Sequence, residues 1–296
     1  MRIVTAEEVR QKLSYDRLVT ELPPRLRAET QVPARSQITI PREGEDDATL
    51  LLMPAWSPSV GGLKIVHVTP GNAARHKVSV NASYLVFDGT THEHLALIDG
   101  AELTARRTAA VAAIAASRLA APDAKRLLLM GSGRIASELA YAYRAVRPIT
   151  QVSVYSPTRA HAETLAAKLS ADGFEARVCN DLPAEVARAD IIACATLSHQ
   201  PIILGEWLNS HQHLALIGGF TPDMREADDA ALRKGHVFVD TLTALSEAGD
   251  VKDLSFDDIR GTLRDLCDPD FDPPAGFTVF KSVGEASQDL AAASLL

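Results

Sequence analysis

Apolar and polar positions fall into two regimes along this chain. Between Ser36 and Ile98, short apolar runs are separated by turn residues such as Pro41-Arg42-Glu43-Gly44, Gly61-Gly62 and Asp88-Gly89. That spacing predicts five strands, Ser36–Ile40, Thr49–Met53, Leu63–Val68, Ala82–Phe87 and His94–Ile98, with no helix among them. Strands in direct succession imply a mostly antiparallel sheet. Ahead of them, Thr5–Leu13 reads as a helix with Thr5 and Glu8 in a capping-box arrangement. Tyr15–Ala28 reads as a second helix, interrupted near Pro23-Pro24. Glu102–Ala121 is a long Ala-rich helix ended by Pro122.

From Lys125 onward strands and helices alternate. Strands are predicted at Arg126–Met130, Gln151–Tyr155, Glu175–Val178, Ile191–Cys194, His213–Ile217 and Val237–Val239. Helices are predicted at about Arg134–Val146, Arg159–Ala171, Leu182–Arg188 and Glu226–Arg233. This βαβ rhythm predicts a doubly wound parallel sheet. Asp250–Asp272 is acidic and reads as a solvated loop region, and Gly284–Leu296 as one last apolar helix. The fold class expected is therefore α/β, a Rossmann-type parallel sheet plus a mostly antiparallel α+β domain. The expected division is residues 1–117 with 284–296 for the antiparallel domain, and 118–283 for the Rossmann-type domain.

One motif gives the second regime its chemistry. Gly131-Ser132-Gly133-Arg134-Ile135-Ala136 is a G-x-G-x-x-A fingerprint between the apolar run Leu127–Met130 and a helix. Gly131 allows the tight turn, Gly133 lets backbone approach a pyrophosphate, and Ala136 lets helix and strand pack closely. Gly131, Ser132, Gly133, Arg134 and Ile135 would hold that pyrophosphate at the helix N-terminus. After the second strand, where a carboxylate would bind a ribose 2′-hydroxyl, the chain reads Ser156-Pro157-Thr158-Arg159. Hydroxyls and a cation suit a 2′-phosphate, so NADPH is favoured over NADH; the alternative is that Ser156 and Thr158 merely cap the next helix.

Composition narrows the class. The chain has 296 residues, enough for two domains, and a net charge of −8, which argues against nucleic acid or an anionic membrane as partner. No apolar run approaches the roughly eighteen residues that span a bilayer. The N-terminus MRIVTAEEVR lacks a signal peptide's apolar stretch, so a cytoplasmic location is expected. The three cysteines, Cys179, Cys194 and Cys267, and the nine histidines lack metal-ligand spacing, so no metal is expected.

Two cations stand in apolar company. Lys64 lies within Leu63-Lys64-Ile65-Val66, ahead of Pro70-Gly71-Asn72, and Arg107 lies on the small-residue helix. A buried cation is costly unless an anion meets it, and a substrate carboxylate would serve both. The plainer readings are a strand lysine reaching solvent and a helix salt bridge from Arg107 to Glu102 or Asp99. Arg35 is a weaker third candidate, and His67 reads as a core or sheet residue.

At this point the chain resembles the ornithine cyclodeaminase/mu-crystallin family. The resemblance rests on Met53-Pro54-Ala55, Leu63–Val66 with Pro70–Asn72, and Phe87-Asp88 through Leu95–Asp99. It continues over Leu103–Ala110, Gly131–Ala136, Ala195–Ser198 with Pro201, Gly218-Gly219 to Pro222, Arg225-Glu226, and Phe280–Gly284 with Asp289. It implies an antiparallel substrate and dimerisation domain joined to a Rossmann domain, a nicotinamide cofactor and a homodimer. It also implies that Arg35, Lys64 and Arg107 hold a substrate carboxylate, that Ser79 contacts substrate, and that Thr196, Ser198 and Val283 flank the nicotinamide.

Three departures matter. Cyclodeaminases and related alanine dehydrogenases carry an aspartate after the glycine pair; here Gly218-Gly219-Phe220-Thr221-Pro222 puts Phe220 there. Without that carboxylate, an ammonium-bearing substrate loses its obvious base, whereas an apolar wall suits a cyclic imine. Asp270–Pro274 replaces a longer family loop, and Thr91-His92 stands where the family usually has Thr-Gly. The expected activity is NAD(P)H-dependent reduction of Δ1-pyrroline-2-carboxylate or Δ1-piperideine-2-carboxylate to L-proline or L-pipecolate. The alternatives are ornithine cyclodeamination or amino-acid dehydrogenation, and a non-catalytic NADPH- or ligand-binding protein like the crystallins.

Overall fold

The computed structural model describes all 296 residues, the side chain of Ala73 excepted. The chain divides into two compact units, Met1–Arg107 with Glu285–Leu296, and Thr108–Gly284. The division falls inside the long helix Gly100–Leu119 rather than at its end.

The first unit is built on a six-stranded sheet in the order β1-β6-β5-β4-β3-β2. Its strands are β1 (Arg2–Val4), β2 (Ser36–Ile40), β3 (Ala48–Trp56), β4 (Val60–Val68), β5 (Val80–Asp88) and β6 (His94–Asp99). All neighbouring pairs are antiparallel except β1 with β6, which is parallel. The sequence pattern misses β1, whose three residues are too few to display a period. Helix α1 (Ala6–Lys12) starts at Thr5, whose hydroxyl accepts the Glu8 N–H. Helix α2 (Tyr15–Arg27) runs straight through Pro23 and Pro24, correcting the expected interruption. The two prolines remove two backbone donors near its end, while the fully buried Leu18 and Leu22 hold the preceding turn in place.

Across one face of this sheet lies the C-terminal helix, Ala286–Ala293, with Ala286 and Leu290 packed on Met53 and Ala55. Lys64 pairs with Met53 on one side and Tyr84 on the other, so these side chains share that face. Gly62, two positions from Lys64, leaves room for the Tyr84 ring.

The second unit is an eight-stranded, all-parallel sheet in the order β13-β12-β14-β11-β10-β7-β8-β9. The strands are β7 (Arg126–Met130), β8 (Gln151–Tyr155), β9 (Glu175–Val178), β10 (Ile191–Cys194), β11 (His213–Leu216), β12 (His236–Val239), β13 (Ile259–Thr262) and β14 (Thr278–Lys281). Short helices separate most of them, including Ala136–Arg144, Arg159–Ala171, Leu182–Arg188 and Asp229–Lys234. The order reverses at β7, so the crevice at its carboxyl end, against β10, is the switch point where such sheets take ligands. Asp250–Asp272 is more than a solvated loop. It contains edge strand β13 and begins with two buried residues, Asp250 and Val251. Among the described residues no helix is long and apolar enough to cross a membrane.

Gly62→Ala is expected to destabilise the first unit by about 1–3 kcal/mol, because the new methyl would lie 2.2 Å from the buried Tyr84 hydroxyl. Urea unfolding checks this; an unchanged midpoint would show that the Tyr84 ring has room to move.

Candidate active site

In the second unit the fingerprint sits at the carboxyl end of β7. Gly131 adopts a φ of +113°, its N–H donates to Tyr155 O at 2.8 Å, and a Cβ there would fall 2.6 Å from Ala195 O. Only glycine fits both demands. Around Gly133, by contrast, a Cβ would meet nothing within 4 Å. The following helix, Ala136–Arg144, begins without a side-chain cap. Open space beside a glycine and uncapped helix N–H groups fit a dinucleotide's pyrophosphate. At the end of β8, Ser132 Oγ donates to Ser156 Oγ at 3.0 Å. Thr158 occupies the N-cap of the next helix but makes no side-chain cap bond, so its hydroxyl is not spent there. Arg159 is exposed, bonding Asn180 Oδ1 and Glu163 Oε1 at 2.9 Å each.

Three buried acids fix the loops at the other strand ends, and sequence reasoning assigned none of them a role. Glu226 Oε1 accepts the Thr196 N–H and hydroxyl at 2.7 and 2.8 Å, while Oε2 accepts the Gly218 and Gly219 N–H groups at 2.9 and 3.4 Å. A Cβ on Gly218 would strike Thr196 O at 1.9 Å, so the two loops touch backbone to backbone. Asp250 accepts the Glu226 and Ala227 N–H groups through Oδ1 and pairs with Lys281 Nζ at 2.9 Å through Oδ2. Burial pushes the Glu226 carboxyl up; Lys281 pulls it back and Asp250 adds to the rise. Asp240, at the end of β12, accepts the Ser282 hydroxyl and the Val283 and Gly284 N–H groups. Ser198 Oγ closes a local turn onto Gln200 O at 2.6 Å. Phe220 is exposed, at 39%.

The first unit gathers the two expected cations around one acid. Lys64 Nζ lies 2.7 Å from Asp289 Oδ2, and Arg107 Nε donates to Asp289 Oδ1 at 2.8 Å. Gln288 Oε1, one residue earlier on the C-terminal helix, accepts from Arg107 Nη1 at 2.6 Å. Arg107 Nη2 makes no hydrogen bond among the described residues. Lys64 is 3% exposed, Arg107 4% and Asp289 0%. The Arg107 partner is therefore Asp289, not Glu102 or Asp99. Two cations against one carboxylate leave one positive charge in excess, which a ligand carboxylate would cancel.

Burial brings the Lys64 ammonium down to about 8; Asp289 draws it up, and Arg107 and then Arg35 push it down. Arg35 is thus near enough for its charge to be felt. Burial pushes Asp289 up, but Arg107 and Lys64 hold it below the usual carboxylate range. Tyr84, cross-strand from Lys64, is fully buried, and its hydroxyl has no hydrogen-bond partner among the described residues. Ser79 stands apart. It precedes β5, its carbonyl accepts the Thr69 N–H at 2.7 Å, and it lies five residues before Tyr84, roughly 17 Å along the strand. Among the described residues no cluster of His, Cys, Asp or Glu is placed to hold a metal.

The signal for Asp289 was present: one acid inside the apolar run Ala286–Leu296. A fixed negative charge in such a helix calls for a buried cation.

A family model described as ornithine cyclodeaminase/mu-crystallin matches residues 1–296. A Δ1-pyrroline-2-carboxylate reductase from Colwellia psychrerythraea is 34% identical over 309 residues, covering 99% of this chain and 97% of that protein. Ketimine reductase mu-crystallin from Mus musculus is 36% identical over 251 residues, 83% of this chain and 78% of that one. A solved structure of Δ1-pyrroline-2-carboxylate reductase from Thermococcus litoralis, in complex with NADH and L-proline, superposes with a TM-score of 0.92 at 26% identity. That match covers 100% of this chain and 96% of that one.

Tyr84→Phe removes a buried hydroxyl that has no partner among the described residues. The variant is expected to be more stable to urea by about 1 kcal/mol. A loss of stability would reveal an acceptor, such as an ordered water, that the hydroxyl satisfies.

Proposed function

Since the chain belongs to the ornithine cyclodeaminase/mu-crystallin family, we propose that it is an NAD(P)H-dependent reductase of cyclic ketimine carboxylates. The substrates are Δ1-pyrroline-2-carboxylate or Δ1-piperideine-2-carboxylate, and the products L-proline or L-pipecolate. One observation carries the choice among the family's activities: the state of the acids around Phe220. Phe220 stands where the cyclodeaminases place an aspartate, and three carboxylates of the adjoining loops, Glu226, Asp250 and Asp223, are engaged. Glu226 is taken by Thr196, Gly218 and Gly219, Asp250 by Lys281, and Asp223 by the Thr221 hydroxyl and His199. Removing a proton from an amino acid needs a free base, whereas an imine already has the oxidation level that reduction requires.

The substrate carboxylate binds to the excess positive charge, with Arg107 offering its unspent N–H groups, Lys64 a point charge and Arg35 a further cation. Holding the carboxylate fixes the orientation of the adjacent imine carbon, a positioning effect. Protonation of the ring nitrogen makes that carbon electrophilic, and Lys64 Nζ, brought down to about 8, is matched to give up a proton near neutral pH. Bound, the reduced nicotinamide supplies the hydride. Gly131, Ser132, Gly133, Arg134 and Ile135 hold the pyrophosphate in this reading. Thr196, Ser198 and Val283 lie on loops that Glu226 and Asp240 keep in shape for the nicotinamide half. NADPH is preferred, supported by Ser156, the uncapped Thr158 hydroxyl and the exposed Arg159 after β8. A homodimer is supported by the large apolar side chains Ile38, Trp56 and Leu95, exposed on the first unit. Three unpaired buried cysteines suit the reducing cytoplasm.

The reading is tested by following absorbance at 340 nm with either imine and either dinucleotide. Imine-dependent oxidation is expected, faster with NADPH. Cofactor binding without turnover of either imine would overturn the reading, and ammonia release from ornithine would favour the cyclodeaminase. Arg107→Ala is expected to lower kcat/KM by roughly several hundred-fold while dinucleotide affinity holds. Unaltered turnover would remove Arg107 from the site.

A further inference from the structure

We propose that Asp289 is a positioning residue for this reaction. Its single carboxylate sets the spacing between the Lys64 ammonium and the Arg107 guanidinium and offsets their mutual repulsion, so that both face one ligand carboxylate. The kinetic side of this inference rests on the reductase reading above; the electrostatic side does not.

The geometry carries it. Each Asp289 oxygen has one cation, Lys64 Nζ at 2.7 Å on Oδ2 and Arg107 Nε at 2.8 Å on Oδ1. Gln288 takes Arg107 Nη1, so consecutive residues of one helix define two points of the guanidinium plane and its rotation. The helix is seated independently of the cations, by Ala286 and Leu290 on Met53 and Ala55. Asp289 is therefore a fixed post to which two long, flexible side chains are tied. A structural ion pair would balance its own charge. This cluster does not, since removing a ligand carboxylate leaves it at +1, and removing Asp289 as well would leave it at +2 in a buried place.

The groups facing Lys64 come from four elements: Asp289 on the C-terminal helix, Arg107 on the long helix, Arg35 ahead of β2, and Tyr84 on β5. Tyr84 stays uncharged, pushed up by burial and by Asp289. Asp289 is the one group among these that favours the charged lysine. Without its charge the Lys64 pKa falls below about 8. The protonated lysine serves both carboxylate binding and proton donation. Activity is therefore retained below the Lys64 pKa and lost above it, and lowering that pKa moves the loss to lower pH.

Asp289→Asn is the test, with two readouts. The alkaline limb of kcat/KM for the imine should move acidward by about one pH unit or more, with KM for the imine raised more than kcat is lowered and dinucleotide affinity unchanged. Independently of turnover, the Lys64 side-chain signal in lysine-labelled protein, assigned with Lys64→Met, should titrate at lower pH in the variant. A folded Asp289→Asn protein whose limb and Lys64 titration both match the wild type overturns the proposal. Should the wild type fail to reduce imines, the reductase reading falls while the lysine titration still decides the role of Asp289. If Asp289→Asn does not fold, Asp289→Glu keeps the charge but moves it by one methylene. A higher imine KM with the alkaline limb unmoved supports the proposal, and an unchanged KM overturns it.

Discussion

Everything distinctive about the first unit depends on keeping two cations out of water with one carboxylate between them. Desolvating a charge costs several kcal/mol even after relaxation, so Lys64 and Arg107 are tolerated only because Asp289 meets both. That need explains otherwise separate features. The C-terminal residues must return to this sheet, since Asp289 lies on them. The helix carrying Asp289 must be apolar, since it seals the cluster against Met53 and Ala55. Gly62 must be small, since the Tyr84 ring fills the space beside Lys64. The excess positive charge is what remains for a ligand.

The second unit solves a different problem with the same kind of group. Loops at the carboxyl ends of a parallel sheet have backbone N–H groups that the strands cannot satisfy. Glu226 and Asp240 accept them from inside, tying the turn after β10 to the turn after β11, and the turn after β14 to the end of β12. Asp250 and Lys281 support Glu226 from behind. Loops braced in this way hold their shape without a ligand. The turn after β7 differs: around Gly133 the backbone faces open space, and no side chain caps the helix that follows.

Elements with a clear period were legible. The alternation after Lys125 and the five successive strands before Glu102 follow from apolar spacing, and Gly131 announces the turn because no other residue type serves there. Three strands escaped, β1, β13 and β14, each of three or four residues and too short for alternation to register; β1 and β13 form at sheet edges where a neighbour offers unpaired backbone, and β14 lies buried between β11 and β12. The helix through Pro23-Pro24 persists because buried Leu18 and Leu22 outweigh two lost donors. Asp289, Glu226 and Asp240 act through partners between 7 and 225 residues away in the chain, and no local pattern encodes a tertiary ion pair or a non-helical N–H. Lys64 and Arg107 were found because a cation in apolar company is anomalous by itself. The same logic applied to acids would have found Asp289.

The charge balance of the Lys64 cluster also bears on how the proton moves. With a carboxylate ligand bound, Lys64, Arg107, Asp289 and the ligand sum to zero. If Lys64 Nζ then protonates the ring nitrogen, one positive charge moves from the lysine to the ring and the total is unchanged. A transfer that conserves charge inside a buried site requires little reorganisation around it. An amino acid entering with its ammonium intact would instead bring a positive charge beside Lys64 and Arg107, with Asp289 already engaged by both. In the proposed reading the cluster would therefore discriminate before any chemistry, favouring a carboxylate next to a neutral imine over a carboxylate next to an ammonium. This points the same way as the engaged acids around Phe220, although it arises from different residues in the other unit.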